Sequence, residues 1–220
     1  MTFSEAEIGE TGDARSRQKR VGDALRRDTR ARLLEAAEGE FGAHGYTATT
    51  VTRIAAAAGV SVQTLYLAWG SKRGLLRGYM EHAIAGGEAS PEDAARRFAG
   101  DMSPQDRING LADLVSDIAE RAALGWSLYR DAAAVDPEIT EDWAELHRLR
   151  HGLIARIVAG IPAESLRAGL THAAATDTAW VIASPDSYDL LAGRLGYDLD
   201  AFRAWTRRTL TAALLTPTAG

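Results

Sequence analysis

Within "GVSVQTLYLAWGSKRGLL", Gly59 to Leu76, a few side chains have the types and spacing to read a polynucleotide. Gln63 can pair with the N6 and N7 edge of adenine, and Val62 or Thr64 can touch a thymine methyl. Tyr66 and Leu67 lie on the outward side of the same turn, and Lys72 opens the next helix, where its charge opposes the helix dipole and a bound phosphate would justify it. Eight basic residues, Arg15, Arg17, Lys19, Arg20, Arg26, Arg27, Arg30 and Arg32, face only Asp23 and Asp28. Residues 1–78 carry 12 Lys+Arg against 9 Asp+Glu, and residues 79–220 carry 13 against 21. The first part is therefore suited to an anionic partner and the second is not.

Other chemistry is excluded by what the sequence lacks. The 220 residues contain no cysteine, so disulfides, thiolate nucleophiles and cysteine-bound zinc are ruled out. There is no G-x-S-x-G, Walker A or dinucleotide fingerprint, so no catalytic residues and no cofactor are expected. His147 and His151 stand four apart, as a metal pair would, but no H-E-x-x-H surrounds them and no metal is expected. No stretch approaches the roughly 18 apolar residues of a membrane span, and no basic start precedes an apolar run. A cytoplasmic protein without membrane contact is the expectation.

The elements that must position these groups follow from periodicity. Residues 1–22 lack apolar periodicity and read as a disordered basic arm, with an acidic start at Glu5, Glu7 and Glu10. A helix is predicted from about Asp23, its inward stripe Leu33 or Leu34, Ala37 and Phe41, ending at Gly42 or Gly45. Thr49 or Thr50 caps a short helix with Val51, Ile54, Ala55 and Ala58 inward. Gly59 permits the turn, and Ser61 caps a second helix that buries Leu65 and Trp69. Such a pair is a helix-turn-helix, whose second helix lies in the major groove. Gly70 ends that helix and Ser71 caps the next.

The run "RLLEAAEGEFGAHGYTATTVTRIAAAAGVSVQTLYLAWGSKRGLL" resembles the DNA-binding domain of TetR-family transcriptional regulators, with that family's order and spacing from Arg32 to Leu76. The triplet Leu67-Ala68-Trp69 departs from the family's usual aromatic or histidine followed by phenylalanine, so phosphate contact there is weakened or shifted to Thr64 and Lys72. The resemblance implies a DNA-binding set of Thr49, Thr50, Ser61, Val62, Gln63, Thr64, Tyr66, Leu67 and Lys72, with Tyr66 and Lys72 on backbone phosphates.

Beyond Leu76 no alternating pattern of useful length occurs, so the fold expected is all-α. A helix-turn-helix domain at 23–78 is followed by a larger helical ligand-binding and dimerisation domain at 79–220. Ala85 to Pro104 holds two breaks around one short helix. Helices are predicted over Pro104–Leu124, Trp126–Ala134 and Ile139–Ala159. The segment Asp177 to Leu215, "DTAWVIASPDSYDLLAGRLGYDLDAFRAWTRRTLTAALL", with its tryptophan helix, "SP..Y.LL....G" element and closing tryptophan helix, also resembles the family's C-terminal part, which implies a homodimer through the helices near 163–183 and 199–215. Phe202, Trp205 and Leu210 belong to that surface or to the core. A pocket, if present, draws on Trp126, Tyr129, Arg130, Trp143, His147, His151 and Trp180, with Arg130 paired to Asp131 or Asp136 or holding an anion. The expected function is a homodimeric repressor on a double-stranded DNA operator, released by a small-molecule effector. A ligand-independent DNA binder and an activator are the alternatives.

Overall fold

The computed structural model describes residues 6–86 and 96–217, with side chains from Gln18 onward. Its described residues are helical apart from turns and one isolated bridge between Leu166 and Leu215. The chain divides into two compact units, Met1–Tyr79 and Met80–Gly220.

In the first unit, α1 runs Ala6–Ala48 and bends at Gly45, whose φ of 73° is open to glycine. It begins well before Asp23, so 6–22 is helix where the sequence leads one to expect a disordered arm. No apolar stripe runs through this stretch, and the periodicity criterion does not detect such a helix. Arg26–Asp23 and Arg32–Asp28 pairs add local support. The side chains of Glu5, Glu7, Glu10, Arg15 and Arg17 lie outside the described residues.

Leu33, Ala37 and Phe41 of α1, Ile54 of α2 (Val51–Ala57), Leu65 of α3 (Val62–Trp69) and Leu75 of α4 (Lys72–Ala85) are each almost wholly removed from water, and α1, α2 and α3 pack on one another. Burying each of the larger side chains contributes about 1.5–3 kcal/mol. The Tyr79 hydroxyl on α4 bonds Glu38 on α1, and burial, reinforced by that carboxylate, pushes its pKa up to about 12. Trp69 closes α3, with Gly78 against one face of its ring and the Arg30 guanidinium 4.2 Å from the ring centroid.

The second unit is a bundle of α5 (Pro104–Ala133), α6 (Pro137–Ala159), α7 (His172–Ile182), α8 (Pro185–Tyr188) and α9 (Leu199–Leu214). α5 is one helix through Leu124–Trp126 rather than two, because Gly125 is buried and its backbone continues the ladder. Residues Ala163–Ser165 form only a 3-10 turn, so the helix expected near 163–183 starts at His172. A wide turn, Asp189–Arg194, follows α8. The core gathers Ile108 and Leu111 of α5, Ile154 and Val158 of α6, Ala179 of α7 and Leu210 of α9. Phe202, also buried, packs edge-on to Tyr188. Phe202 and Leu210 are thus core residues and not an open surface. The helix expected within Ala85–Pro104 falls largely outside the described residues.

Buried Arg107 holds the loop before α5 by donating to the carbonyls of Phe98 and Gly100, both at 3.0 Å. Arg203 and Arg207 of α9 reach Asp117 and Asp113 of α5 at 2.7 and 2.8 Å. Arg121 of α5 donates to the carbonyls of Ala83 and Ile84 at the end of α4.

Candidate nucleic-acid interface and effector cleft

Thr50 is the N-cap of α2, its hydroxyl accepting from the Arg53 amide. Ser61 does the same for α3, accepting from the Thr64 amide at 3.0 Å while the two hydroxyls meet at 2.8 Å. With Gly59 at φ 65° between them, the two short helices form a tight helix-turn-helix. α3 buries Leu65 and turns Gln63, Tyr66 and Leu67 outward, with Val62 and Thr64 half-buried beside them. Leu67 is 82% exposed. A large apolar side chain held in water at the outer face of a capped helix is suited to contact a base methyl or sugar.

Two residues of the expected set turn inward. Thr49 is buried, its hydroxyl 2.9 Å from the Glu40 carbonyl and 2.8 Å from that of Gly45, so it closes the kink of α1 and offers nothing to a ligand. Lys72 donates to the carbonyls of Tyr46 and Thr49 at 2.8 and 2.9 Å, with its ammonium 4.2 Å from the centroid of the Tyr46 ring. Those internal acceptors justify a lysine at the start of α4, and no phosphate is needed to explain it. Ser71 bonds the Gly74 amide and caps α4 as expected.

The acidic unit gathers the aromatic residues. Trp143 meets Trp126 edge-on at 5.3 Å and His147 at 4.4 Å, and Tyr129 stacks on Trp143 at 6.2 Å. Tyr129 is fully buried and belongs to the core. His147 continues to Trp180, which also meets the His151 ring at 6.2 Å and the Arg150 guanidinium at 4.6 Å. Burial, then Arg150, lower the His147 pKa against an upward pull from Asp186, so the ring stays neutral at neutral pH. Burial lowers Arg150 to about 10. His151 pairs with Asp177 at 2.9 Å, and among the described residues no group of three His, Asp or Glu is placed to hold a metal.

A cleft of about 130 Å³ opens beside this cluster between α5, α6 and the α8 region, lined by Trp126, Arg130, Trp143, Asp186, Tyr188 and Asp189 among others. Trp126, Arg130 and Trp143 were expected there. Asp186, Tyr188 and Asp189 were not, because in sequence "SPDSYD" shows only a helix cap. A second, shallower hollow takes in His147, His151 and Trp180. Arg130 pairs with Asp186 at 3.4 Å and Asp189 at 3.5 Å, more closely than with Asp131 at 4.0 Å, and not with Asp136.

The first unit is a helix-turn-helix domain whose second short helix, α3, presents Gln63, Tyr66 and Leu67 outward. Residues 33–79 match the family model described as bacterial regulatory proteins, tetR family, and the chain carries the fold of TetR-family regulators. NalD, the secondary repressor of the MexAB-OprM multidrug efflux pump in Pseudomonas aeruginosa, superposes with a TM-score of 0.66 at 20% identity, over 86% of this chain and 98% of that one. The SmeT–triclosan complex gives 0.68 at 20%, over 86% and 93%. A TetR transcription regulator from Haloarcula marismortui gives 0.65 at 17%, over 85% and 98%. No match is found among curated proteins. Among the described residues no single helix is long and apolar enough to cross a membrane.

Proposed function

We propose that the protein is a homodimeric, cytoplasmic transcriptional repressor whose α3 reads an operator and whose release from DNA is driven by a small molecule bound in the second unit. The observation that carries this reading is the capped α2–α3 pair with Gln63, Tyr66 and Leu67 turned outward. Gln63 reads a base, Tyr66 meets the phosphate backbone, and Ser61 and Thr50 fix the helix starts.

Dimerisation is supported by an exposed face on α7 and α9, which pack against each other. Ala174 and Val181 on α7 and Ala201, Ala204 and Ala212 on α9 all lie open. Small side chains of this kind let helices of a second copy approach closely, and two recognition helices multiply specificity over one. The aromatic cluster supports a site in the second unit, and the triclosan complex of the SmeT neighbour supports a small molecule as the effector. Coupling requires that the effector favour one conformational state of the dimer over another. α4, with residues 72–79 in the first unit and 80–85 in the second, is the covalent route for it.

Fluorescence anisotropy at physiological salt, with DNA from immediately upstream of the protein's own gene and a scrambled control, tests this reading. Binding to the native fragment roughly a thousandfold tighter is expected. Gln63→Ala should relax discrimination at one base position by about 1–3 kcal/mol. Equal losses on native and scrambled DNA would contradict base reading.

A further inference from the structure

The cleft beside Trp126 has a chemistry of its own. Trp126 and Trp143 meet at an interplanar angle of 71° with centroids 5.3 Å apart, so their rings form a corner, and Tyr188 adds a third aromatic wall. The polar part of the lining is unbalanced: the Asp186 and Asp189 carboxylates share one guanidinium, that of Arg130, whose Nη1 stands 3.4 and 3.5 Å from them. Arg130 also has Asp131 within 4.0 Å, outside the lining, so a carboxylate remains to receive it if it leaves the cleft. The Trp126 side chain is only 6% exposed and its buried Nε1 has no hydrogen-bond partner. The same holds for the indole N–H groups of Trp69 and Trp180, so Trp126 serves the cleft through its ring and not through Nε1.

Three aromatic walls with adjoining carboxylates make a cation receptor, since ring faces are negative and carboxylates complete the charge. An anion would meet two carboxylates for one guanidinium, and a neutral molecule would leave the Arg130 pairs as they are. A cavity of about 150 Å³ is enough to hold benzene, and this cleft of about 130 Å³ sets a similar limit.

We propose that this cleft binds a one-ring organic cation, with its ammonium taking the place of the Arg130 guanidinium between Asp186 and Asp189 and its ring against Trp126, Trp143 and Tyr188. The inference rests on the effector reading above and gives the chemical class of the effector. Arg130 is then the internal occupant of the cation position, and ligand binding hands it over to Asp131.

The test is calorimetric titration of the full chain, without DNA, with 4-methoxybenzylammonium, 4-methoxybenzyl alcohol and 4-methoxybenzoate, which share the methoxyphenyl ring and differ in charge. The ammonium compound should bind at least tenfold more tightly than the other two. The Asp186→Asn, Asp189→Asn double variant should abolish that preference while its circular dichroism stays unchanged, and Arg130→Ala should tighten binding of the ammonium compound. Tightest binding of the benzoate, weakened ammonium binding in Arg130→Ala, or no binding by any of the three would overturn the proposal. The same titration followed by anisotropy separates the two readings. Charge-selective binding that leaves operator affinity untouched supports the cation site and refutes effector-driven release. Operator binding that responds to other molecules, with no affinity for the ammonium compound, keeps the regulator and discards the cation.

Discussion

Lys72 separates two roles that a basic residue can have beside DNA. Its ammonium donates to the Tyr46 and Thr49 carbonyls and covers the Tyr46 ring, so Lys72→Met keeps the stem and deprives two carbonyls of a charged donor. A stability loss of about 2–3 kcal/mol is expected in denaturant titration, with the salt dependence of DNA binding unchanged. A fall in the salt slope of about one would instead place a phosphate on the ammonium. Tyr79 gives a prediction in pH. Its folded pKa of about 12 lies above the ordinary 10.0, so the folded state holds the proton longer than the unfolded chain. The stabilisation is complete below pH 10.0 and lost as pH rises toward about 12. Thermal unfolding across that window should show the midpoint falling more steeply for the wild type than for Tyr79→Phe, and parallel curves would remove Glu38–Tyr79 from the account.

At the scale of elements, the end of α3 depends on an absent side chain. A Cβ at Gly78 would stand 2.0 Å from Cζ3 of Trp69 and 2.4 Å from Cη2, so the ring would have to leave α4. Gly78→Ala should cost about 1–3 kcal/mol through overpacking. Because Trp69 is the last residue of the recognition helix, operator affinity should fall with it. Full operator affinity in a destabilised variant would show that α3 does not rely on that ring. How far such elements can be read in advance depends on the range of the interaction. The α2–α3 pair was legible because its caps, glycine turn and apolar stripe are all local: Thr50, Ser61, Gly59 and Leu65 each act within four residues. The inward turn of Thr49 and Lys72 was not, since their acceptors are set by the bend at Gly45 and by packing between helices. Trp126 and Trp143 were legible as pocket candidates, whereas Asp186 and Asp189 join them only through the packing of the α8 region on α5. The helix over 6–22 was missed because its sequence carries no apolar stripe for periodicity to find.

For the whole molecule, the open small-residue face on α7 and α9 is the test of assembly. Ala204→Trp would force a large ring between closely packed helices if a second copy covers that face, at a cost of about 1–3 kcal/mol through overpacking. Sedimentation should then show monomers at concentrations where the unaltered protein is dimeric, and an undiminished dimer would move the interface elsewhere. The corner between α1 and α2 carries a different consequence, for behaviour in the cold. Thr49 and Lys72 hold it through side-chain bonds to three carbonyls, those of Glu40 or Gly45 for the hydroxyl and Tyr46 and Thr49 for the ammonium. Apolar burial weakens on cooling and hydrogen bonds to backbone carbonyls do not share that dependence. The α1–α2 corner should therefore keep its geometry at temperatures low enough to loosen the apolar contacts of the helices around it.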